Sequence, residues 1–346
     1  MAITRGVDPH NGWVEVSGKR FQVISGNVHE TSTNTACTMR CRLPLNAPGY
    51  LEAFAALRGS DTDVTVVVLA HGSEANLFKG KLIKIEFALV QGYIDVSGDN
   101  GHQELHDHKT TDSWTNATGT KVVSDLIGRL GIPFMGGASS SVMVGKKIGQ
   151  DFVALTDNIS YMMKIHKMAE FDGVRAFFDR NGTFRYQKPG QGGDNQVSWT
   201  RPTPQKPMVS DCLDLRIIYN LPAGDTLNGE QTSYQTDKKQ NSNAKATIQG
   251  GPKQRQYYGD TPPNQQQEQN YQRVKSALDQ MAQHEFQLNC TVVGDPDIDA
   301  TKQMTLSGSG FFDMSYPIDS VDHNFGVNGY TTTVNGKTAG PGRSAQ

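Results

Sequence analysis

The sequence of 346 residues lacks a long hydrophobic run. Its longest apolar stretch, residues 64–70, is interrupted by Thr65 and is far shorter than the ~18 residues that a membrane-spanning helix needs. The first nine residues also lack the apolar segment of a secretion signal. The sequence therefore predicts a soluble protein without a membrane span, made and assembled in a cytoplasm.

An excess of positive charge is also absent. The chain has 33 Lys and Arg residues against 35 Asp and Glu residues, for a formal net charge of −2. A protein that grips nucleic acid normally needs basic side chains to neutralise the phosphates. Tight nucleic-acid binding is therefore not expected, although DNA could pass through a ring of such chains without being held.

Cysteine is scarce, with four residues in the chain. Cys37 and Cys41 would lie on the same side of one strand, roughly 13 Å apart, which is too far for a disulfide. Cys212 and Cys290 stand isolated in the sequence. The prediction is four reduced, partly buried thiols.

Apolar residues are few, at 36%, whereas glycine is abundant, with 36 residues. Globular proteins average roughly 45–50% apolar residues when glycine is counted among them. This composition favours many short strands joined by turns, in a chain that completes its burial within an assembly. The length suggests two or three domains.

Residue periodicity predicts strands at both ends of the chain and an α/β region in the middle. The predicted strands are residues 13–16, 20–24, 36–43, 63–69, 77–96, 174–178, 183–186, 212–219, 286–293, 303–306, 316–323 and 330–334. The predicted helices are residues 50–57, 118–130, 158–172 and 271–281. Residues 224–270 are rich in Gln, and Leu227 and Ile248 are their only large aliphatic side chains, which predicts a long loop or polar arm.

Three carboxylates have the spacing of calcium ligands. Asp295, Asp297 and Asp299 match positions one, three and five of a calcium loop, but Ala300 and Leu306 stand where that loop needs Gly and Glu. A turn between two strands is therefore the prediction for this segment.

A histidine cluster is the other candidate metal site. His102, His106 and His108 lie beside Glu104 and Asp107. A structural zinc site needs four ligands in a constrained frame, and the polar surroundings here favour a solvated linker.

Two catalytic patterns are incomplete. Gly137 and Gly145 are too far apart for a phosphate-binding loop, and Lys147 stands where Ser or Thr would hold magnesium. Glu170 and Asp172 could be imagined as a glycosidase pair, but their position before a turn favours a cap or surface role. The sequence therefore predicts no catalytic residue, no cofactor and no bound metal.

The most specific pattern lies near the C-terminus. It consists of Gly294, Asp295, Pro296, Gly308, Gly310, Tyr316, His323, Gly329 and Tyr330. In this order the residues resemble the closing region of the tail-hub family of contractile phages, also called baseplate hub or late control gene D proteins. The hub-like half of the VgrG spike of type VI secretion is similar. Residues 97–130 and 159–186 resemble earlier parts of the family, whereas Ala300 and Thr301 replace its usual Pro-Gly.

His323 stands next to Asp322, which invites an acid–base interpretation. Adjacent residues of a strand point to opposite faces, so the two side chains are badly placed to act together. A packed or hydrogen-bonded histidine is the prediction.

The resemblance implies an α+β, mainly β fold, with two antiparallel β-barrel-like domains of the tail-hub type and an α/β domain between them. The expected divisions are an N-terminal barrel (1–98), the α/β domain (99–186), connecting strands and loops (187–223), the Gln-rich arm or loop (224–270), a helix with the second barrel (271–336) and a flexible tail (337–346).

The resemblance further implies a structural, non-enzymatic virion protein of the tail baseplate, assembled in the host cytoplasm. The family forms a homotrimeric, pseudo-sixfold ring that adapts a sixfold tail tube to a threefold central spike. The implied partners are further copies of the chain, the tail tube protein, the central spike protein and other baseplate proteins, with DNA only as passing cargo. The alternatives are a tail-associated cell-wall hydrolase or peptidase, and a component of a type VI-like secretion spike.

Overall fold

The computed structural model describes residues 12–32, 36–57, 62–70, 72–110, 114, 117–136, 159–200, 203–205, 207–220, 225–234, 241–248, 253–260 and 267–340. The phosphate-loop candidates Gly137, Gly145 and Lys147 lie outside these residues. The first part of the chain forms β1 (Gly12–Val16), β2 (Lys19–Gln22), β3 (Ser25–Thr31), β4 (Thr38–Pro44), α1 (Tyr50–Ala55), β5 (Asp63–Ala70), β6 (Ser73–Ala88) and β7 (Tyr93–Asp99).

The middle of the chain is the α/β module that the periodicity predicts. It contains α2 (His102–Asp107), β8 (Lys109–Thr110), α3 (Gly119–Arg129), β9 (Phe134–Gly136), β10 (Ile159–Ser160), α4 (Tyr161–Asp172), β11 (Arg175–Phe178) and β12 (Phe184–Gln187). The predicted cap of α3 is confirmed, because Thr118 accepts a hydrogen bond from the Lys121 amide at 3.2 Å. Val122, Val123 and Leu126 of α3 face the module's core.

The last part of the chain returns to strands. It contains β13 (Asp194–Thr200), β14 (Val209–Ser210), β15 (Cys212–Tyr219), and, after a long insertion, β19 (Phe286–Val293), β20 (Gln303–Ser307), β21 (Ser315–Gly326) and β22 (Gly329–Thr338). The alternation of buried and more exposed residues along β19 and β22 confirms the predicted strands there.

The insertion corrects the prediction of a loop for residues 224–270. It contains β16 (Asp225–Tyr234), β17 (Asn241–Ile248) and β18 (Lys253–Asp260), which form a separate three-stranded sheet, followed by α5 (Gln267–Ala282). Strand pairing satisfies backbone groups without requiring apolar side chains, so a polar segment can form this small sheet. The low apolar content was therefore a poor guide to the secondary structure of the segment.

Residues 337–340, which the prediction assigns to a flexible tail, continue the fold. Lys337 and Thr338 belong to β22, and the Gly340 amide donates to Glu285 Oε2 at 3.0 Å. Ala339 packs against the small apolar cluster formed by α5. Residues 341–346 lie outside the described residues.

Fourteen strands from both ends of the chain form one sheet, so the fold is mainly β. The two ends meet where β3 pairs with β21 in antiparallel register, from Thr31 opposite Ser320 to Ser25 opposite Gly326. Within the described residues the strand pairings do not close into a barrel. The described strands thus form one branched sheet, and the predicted pair of barrel-like domains is not confirmed.

The same strand order occurs twice in this sheet. In the N-terminal half, β1 to β7 are arranged as β2-β1-β5-β6-β7-β4-β3. In the C-terminal half, β13, β14, β15, β19, β20, β21 and β22 are arranged as β14-β13-β20-β21-β22-β19-β15. Each strand of one half thus has an equivalent in the other, in the same chain order. The one difference in direction is that β1 and β5 are antiparallel whereas β13 and β20 are parallel.

Irregularities of the strands repeat as well. Ile83 in β6 and Asp319 in the equivalent strand β21 are each the extra residue of a bulge. Opposite the residue before each bulge lie Gly98 and Gly336. A Cβ at either glycine would lie close to a backbone oxygen of the facing strand, at 2.6 Å and 3.2 Å respectively. The pairs β6–β7 and β21–β22 are therefore related residue by residue.

The core has separate apolar clusters for the N-terminal half, the α/β module and the C-terminal half. Phe325 and Tyr330 of the C-terminal half belong to the cluster of the N-terminal half, which ties the two halves together. Among the described residues, no helix is long and apolar enough to cross a membrane.

Candidate functional site

One face of the sheet is polar across eight consecutive strands. These strands are β6, β7, β4, β3, β21, β22, β19 and β15, in that spatial order. The side chains of this polar face, none of them buried, include Lys84, Glu86, Asp95, Ser97, Arg40, Arg42, Asn27, His29, Asp322, Asn324, Thr331, Thr333, Asn289, Thr291, Asp214 and Arg216. The opposite face is mainly apolar, and it is buried except along the outermost strands β6 and β15, where it is partly buried. Because side chains alternate along a strand, a single polar face results from both halves having the same register.

Charges on the polar face are largely paired with one another. Arg42 Nε lies 2.8 Å from Asp95 Oδ1, and Lys84 Nζ lies 2.7 Å from Glu86 Oε2. At the junction of the two halves, His29 Nδ1 lies 2.8 Å from Asp322 Oδ1, and this carboxylate raises the pKa of His29. The face is thus polar without a field of one sign.

The C-terminal part of the polar face carries uncharged polar ladders. Asn289 donates to Asn335 Oδ1 at 2.7 Å, and the Thr291 and Thr333 hydroxyls are 3.1 Å apart. The N-terminal part is concave, with a depression of about 880 Å³ lined by residues such as Arg40 and Asp95. Such a surface can border water and let a charged polymer pass without holding it, because few charges are left to neutralise phosphates.

On the buried side, the hairpin of β11 and β12 covers the junction between β3 and β21. Arg175 donates to the carbonyl oxygen of Ile318 at 2.6 Å, to Asp319 Oδ1 at 2.6 Å, and also to Ser32 Oγ. Arg175 and Asp319 are nearly buried, and Lys337 Nζ lies 2.6 Å from the second oxygen of Asp319. A single arginine of the α/β module therefore contacts both halves of the sheet.

A second arginine of this hairpin makes the same kind of contact. Arg180 donates to the carbonyl oxygen of Pro296, and its guanidinium lies 3.4 Å from Asp299 Oδ2 and 3.9 Å from Glu30 Oε1. Asp179 holds the turn between β11 and β12, which contains Arg180, because its carboxylate accepts hydrogen bonds from the Asn181 and Thr183 amides.

Glu30 and His323 are buried beside Arg180. Glu30 Oε1 lies 3.8 Å from His323 Nε2, and burial raises the pKa of Glu30 to about 7 against the opposing effect of Arg180. Burial and the charge of Arg180 lower the pKa of His323 to about 3. His323 Nδ1 is 2.8 Å from the Tyr330 hydroxyl. His323 is therefore a neutral, hydrogen-bonded residue, as predicted, and Asp322 points to the other face.

The sequence-predicted motif separates into two places. Gly294, Asp295, Pro296, His323 and Tyr330 come together beside Arg180. The ring of Tyr330 packs over Gly294, where a Cβ would lie 2.1 Å from the ring, and the Asp295 amide donates to Thr332 Oγ1 at 3.0 Å. These residues form a packed turn at the junction of the two halves.

The remaining motif residues, two in a turn and two in strands, lie outside this packed turn. Gly308 and Gly310, with φ of 85° and 78°, shape the turn between β20 and β21. Tyr316 is fully buried and donates to the Phe312 carbonyl at 3.1 Å. Gly329, with φ of 108°, begins β22 after the hairpin turn.

The candidate metal residues serve as backbone acceptors or lie on the surface. The predicted turn is confirmed, because Asp295 Oδ1 accepts from the Asp297 amide and Asp299 Oδ1 from the Thr301 amide, both at 2.9 Å. His106 and His108 are exposed at the end of α2. In the part of the chain that the structure describes, no three His, Cys, Asp or Glu residues are grouped so as to hold a metal ion. Asp172, which the sequence analysis considered as one carboxylate of a glycosidase pair, accepts a hydrogen bond from the Tyr186 hydroxyl at 2.6 Å.

Cys212 and Cys290 are free thiols, as predicted. Although they are far apart in the sequence, their Sγ atoms are 2.9 Å apart on the neighbouring strands β15 and β19. A hydrogen bond from Cys290 lowers the pKa of Cys212. A separation of 78 residues along the chain gave no sign of this proximity. Cys37 and Cys41 are buried, as predicted.

Sequence reasoning missed the buried charged residues Glu30, Arg175, Arg180 and Asp319. One signal was available for Glu30. It lies two residues after Val28 and therefore on the apolar face of β3, where a charged residue breaks the alternation of apolar and polar side chains. No local pattern marked the two arginines, because their partners come from both ends of the chain.

Comparison with known proteins shows relatives at the level of structure. No protein-family model and no curated protein matches the sequence. The tail protein from Neisseria meningitidis MC58 matches 95% of this chain and 97% of its own with a TM-score of 0.70 at 13% identity. The 43 kDa tail protein of prophage MuSo2 from Shewanella oneidensis matches 95% and 98% with a TM-score of 0.66 at 12% identity.

A third match comes from a secretion machine. It is an E. coli component of the type VI secretion system, described as structurally similar to the T4 bacteriophage tail proteins gp27 and gp5. It matches 96% of this chain and 78% of its own, with a TM-score of 0.54 at 11% identity. Over nearly its whole length, the chain therefore has the fold that these two phage tail proteins and this type VI secretion component share.

Proposed function

We propose that this chain is a non-enzymatic baseplate hub of a contractile phage tail or tail-like particle. Three copies form a ring that joins a sixfold tail tube to a threefold central spike. In the assembled virion the hub contacts the tube protein, the spike protein and other baseplate proteins. The similarity of fold to phage tail proteins supports this proposal.

The observation that carries the proposal is the repeated strand order. Each chain contributes two equivalent four-stranded units to the polar-faced sheet, β6-β7-β4-β3 and β21-β22-β19-β15. Three chains would therefore place six similar units around one ring, although only three subunits are present. This is the property that an adaptor between sixfold and threefold partners needs.

The two ends of the sheet differ in a way that fits such an adaptor. At one end, which we call the hairpin end, each half presents an equivalent hairpin, β6–β7 and β21–β22. At the other end, the α/β module follows β7 and the insertion with α5 follows β15, so each occurs once per chain. A ring would be nearly sixfold at the hairpin end and threefold at the other.

The polar face supplies a suitable inner wall. It spans the junction of the two halves without interruption, and its charges are paired locally. DNA passing such a wall would be hydrated but not gripped, since release of counterions by a basic surface is what normally holds it.

Measuring the mass of the purified protein by light scattering tests the proposal. The expected mass is three times the 37.8 kDa of one chain. Ile83 and Leu213 lie on the outermost strands β6 and β15 and are 60% and 62% exposed. The variants I83K and L213K should fold yet dissociate the trimer, because lysine on an edge strand disfavours pairing with another strand. M163K, at a 50% exposed position in the α/β module, is the matched control and should remain trimeric.

A wild-type protein with the mass of one or two chains would contradict the ring. A cell-wall hydrolase would instead degrade peptidoglycan in a turbidity assay, whereas the hub should leave it intact.

A further inference from the structure

The two outermost strands of the polar-faced sheet have unfinished apolar faces. Ile85 and Phe87 of β6, and Leu215 and Ile217 of β15, point to the apolar side but are only partly buried. Among the residues that the structure describes, β6 pairs beyond the bulge with β7 alone, and β15 pairs with β19 alone. Each strand therefore offers unpaired backbone groups beside half-covered apolar side chains, which is the signature of a strand that accepts another strand.

The equivalent strands inside the chain show what a completed pairing looks like. By the internal repeat, β6 corresponds to β21 and β15 corresponds to β3, and β21 pairs with β3. Val321 and Val28, the equivalents of Ile85 and Ile217, are both 0% exposed. A second copy is the occupant that the repeat specifies, because it carries the matching strand.

The repeat also fixes the residue correspondence. The bulge residues Ile83 and Asp319 align β6 with β21, so that Glu86 corresponds to Asp322. Gly98 and Gly336 align β7 with β22. The residue pairings between neighbouring strands then align β4 with β19 and β3 with β15.

Through these ladders, Val28 corresponds to Ile217, and His29 corresponds to Ile218. Inside the chain, Val28 lies opposite His323 and His29 lies opposite Asp322.

We infer that β15 of one copy pairs antiparallel with β6 of the next, with Ile218 opposite Glu86 and Ile217 opposite Phe87. This inference rests on the proposed ring and specifies the strand pairing between neighbouring copies, which we call the seam. The contact is head to tail, and such contacts close into a ring when the rotation between copies allows it.

The alternation of apolar and polar side chains agrees with this register. On the apolar side the seam places Ile85 opposite Tyr219, Phe87 opposite Ile217, and Leu89 opposite Leu215. On the polar side the opposed pairs are Lys84 with Asn220, Glu86 with Ile218, and Ala88 with Arg216. A shift by one residue would bring Glu86 to the level of apolar-face residues, because side chains alternate with a period of two.

Engineered cysteine pairs test the register. In a C212S background, each chain receives E86C and I218C, which lie at opposite ends of an eight-stranded sheet and cannot join within one chain. A second pair, A88C with R216C, repeats the test two residues further along. The shifted control, K84C with I218C, keeps the polar face but displaces the partners by about 7 Å, beyond disulfide reach.

After mild oxidation with oxidised glutathione, both matched pairs should give a covalent trimer on a non-reducing gel, and the shifted control should remain mostly monomeric. A reduced protein that is trimeric by light scattering but whose matched pairs fail to cross-link, or whose control cross-links equally well, would overturn the register while leaving the ring intact. Loss of the trimer in the wild type would instead overturn the proposed function, and the seam with it.

Discussion

The carboxylate of Glu30 lies 3.8 Å from Nε2 of His323, with both side chains excluded from solvent at the junction of the two sheet halves. Their pKa values move in opposite directions from their ordinary values of 4.5 and 6.5, to about 7 for Glu30 and about 3 for His323. The stability that each group contributes therefore depends on pH with opposite sign.

The first prediction concerns this pair. The raised pKa of Glu30 means that its contribution is present below pH 4.5 and is lost as pH rises towards 7. The lowered pKa of His323 means that its contribution is present above pH 6.5 and is lost as pH falls towards 3. Between pH 4.5 and 6.5 the two slopes, each about 1.4 kcal/mol per pH unit at most, should largely cancel.

Urea unfolding at several pH values checks this. Relative to wild type, E30Q should become less stable on acidification through that window, and H323Q should become more stable. E86Q, which removes an exposed carboxylate, should follow the wild-type curve. Parallel curves for E30Q and wild type would show that Glu30 is already ionised throughout this range.

The second prediction concerns Arg175. R175A removes a nearly buried guanidinium that contacts Ser32, Ile318 and Asp319, and should lower the free energy of unfolding by about 3 kcal/mol, near the lower end for a broken buried pair because Lys337 still faces Asp319. The matched control R20A removes an exposed arginine that pairs with Glu15 and Glu74, and should barely change the urea midpoint. Equal effects of R175A and R20A would contradict the role of Arg175 at the junction.

The third prediction concerns Cys212 and Cys290. With Sγ atoms 2.9 Å apart and the pKa of Cys212 lowered, its thiolate should attack oxidised glutathione and release one glutathione, after which Cys290 should displace the second. Thiol titration of the denatured protein should then fall from four groups to two. C212S should retain its thiols under the same treatment. A wild-type titre that stays at four would contradict the proximity.

The fourth prediction concerns the hairpin end. Val90 and Val327, at the tips of the equivalent hairpins, are 95% and 50% exposed. If this end meets the sixfold tube, V90D and V327D should each weaken binding of purified tail tube protein at least about tenfold without changing the mass of the hub. M163D, at the opposite end, should bind normally. The reverse pattern would place the tube at the other end.

Much of the fold could be predicted from periodicity. The strands whose side chains alternate between apolar and polar, such as β19 and β22, and the capped helix α3 follow from local patterns that also decide their burial. The three strands within residues 224–270 could not be predicted, because their pairing rests on backbone hydrogen bonds rather than on an apolar stripe.

The candidate site was less predictable. The sequence motif contains Gly294, His323 and Tyr330 but does not predict that they lie together. Their contacts with Arg180 and Glu30 join segments that are far apart in the sequence. The repeat of strand order was also hidden, since equivalent positions such as Ile83 and Asp319 share geometry rather than residue type.

Electron cryomicroscopy of the purified protein, averaged down the ring axis, tests the ring itself. The expected result is a closed ring of three chains, with an inner wall of six similar strand units lined by Arg42, Asp95 and Asn289, and with threefold features confined to the end that bears the α/β module. Particles of one or two chains, or a ring whose inner wall is the apolar face of the sheet, would contradict it.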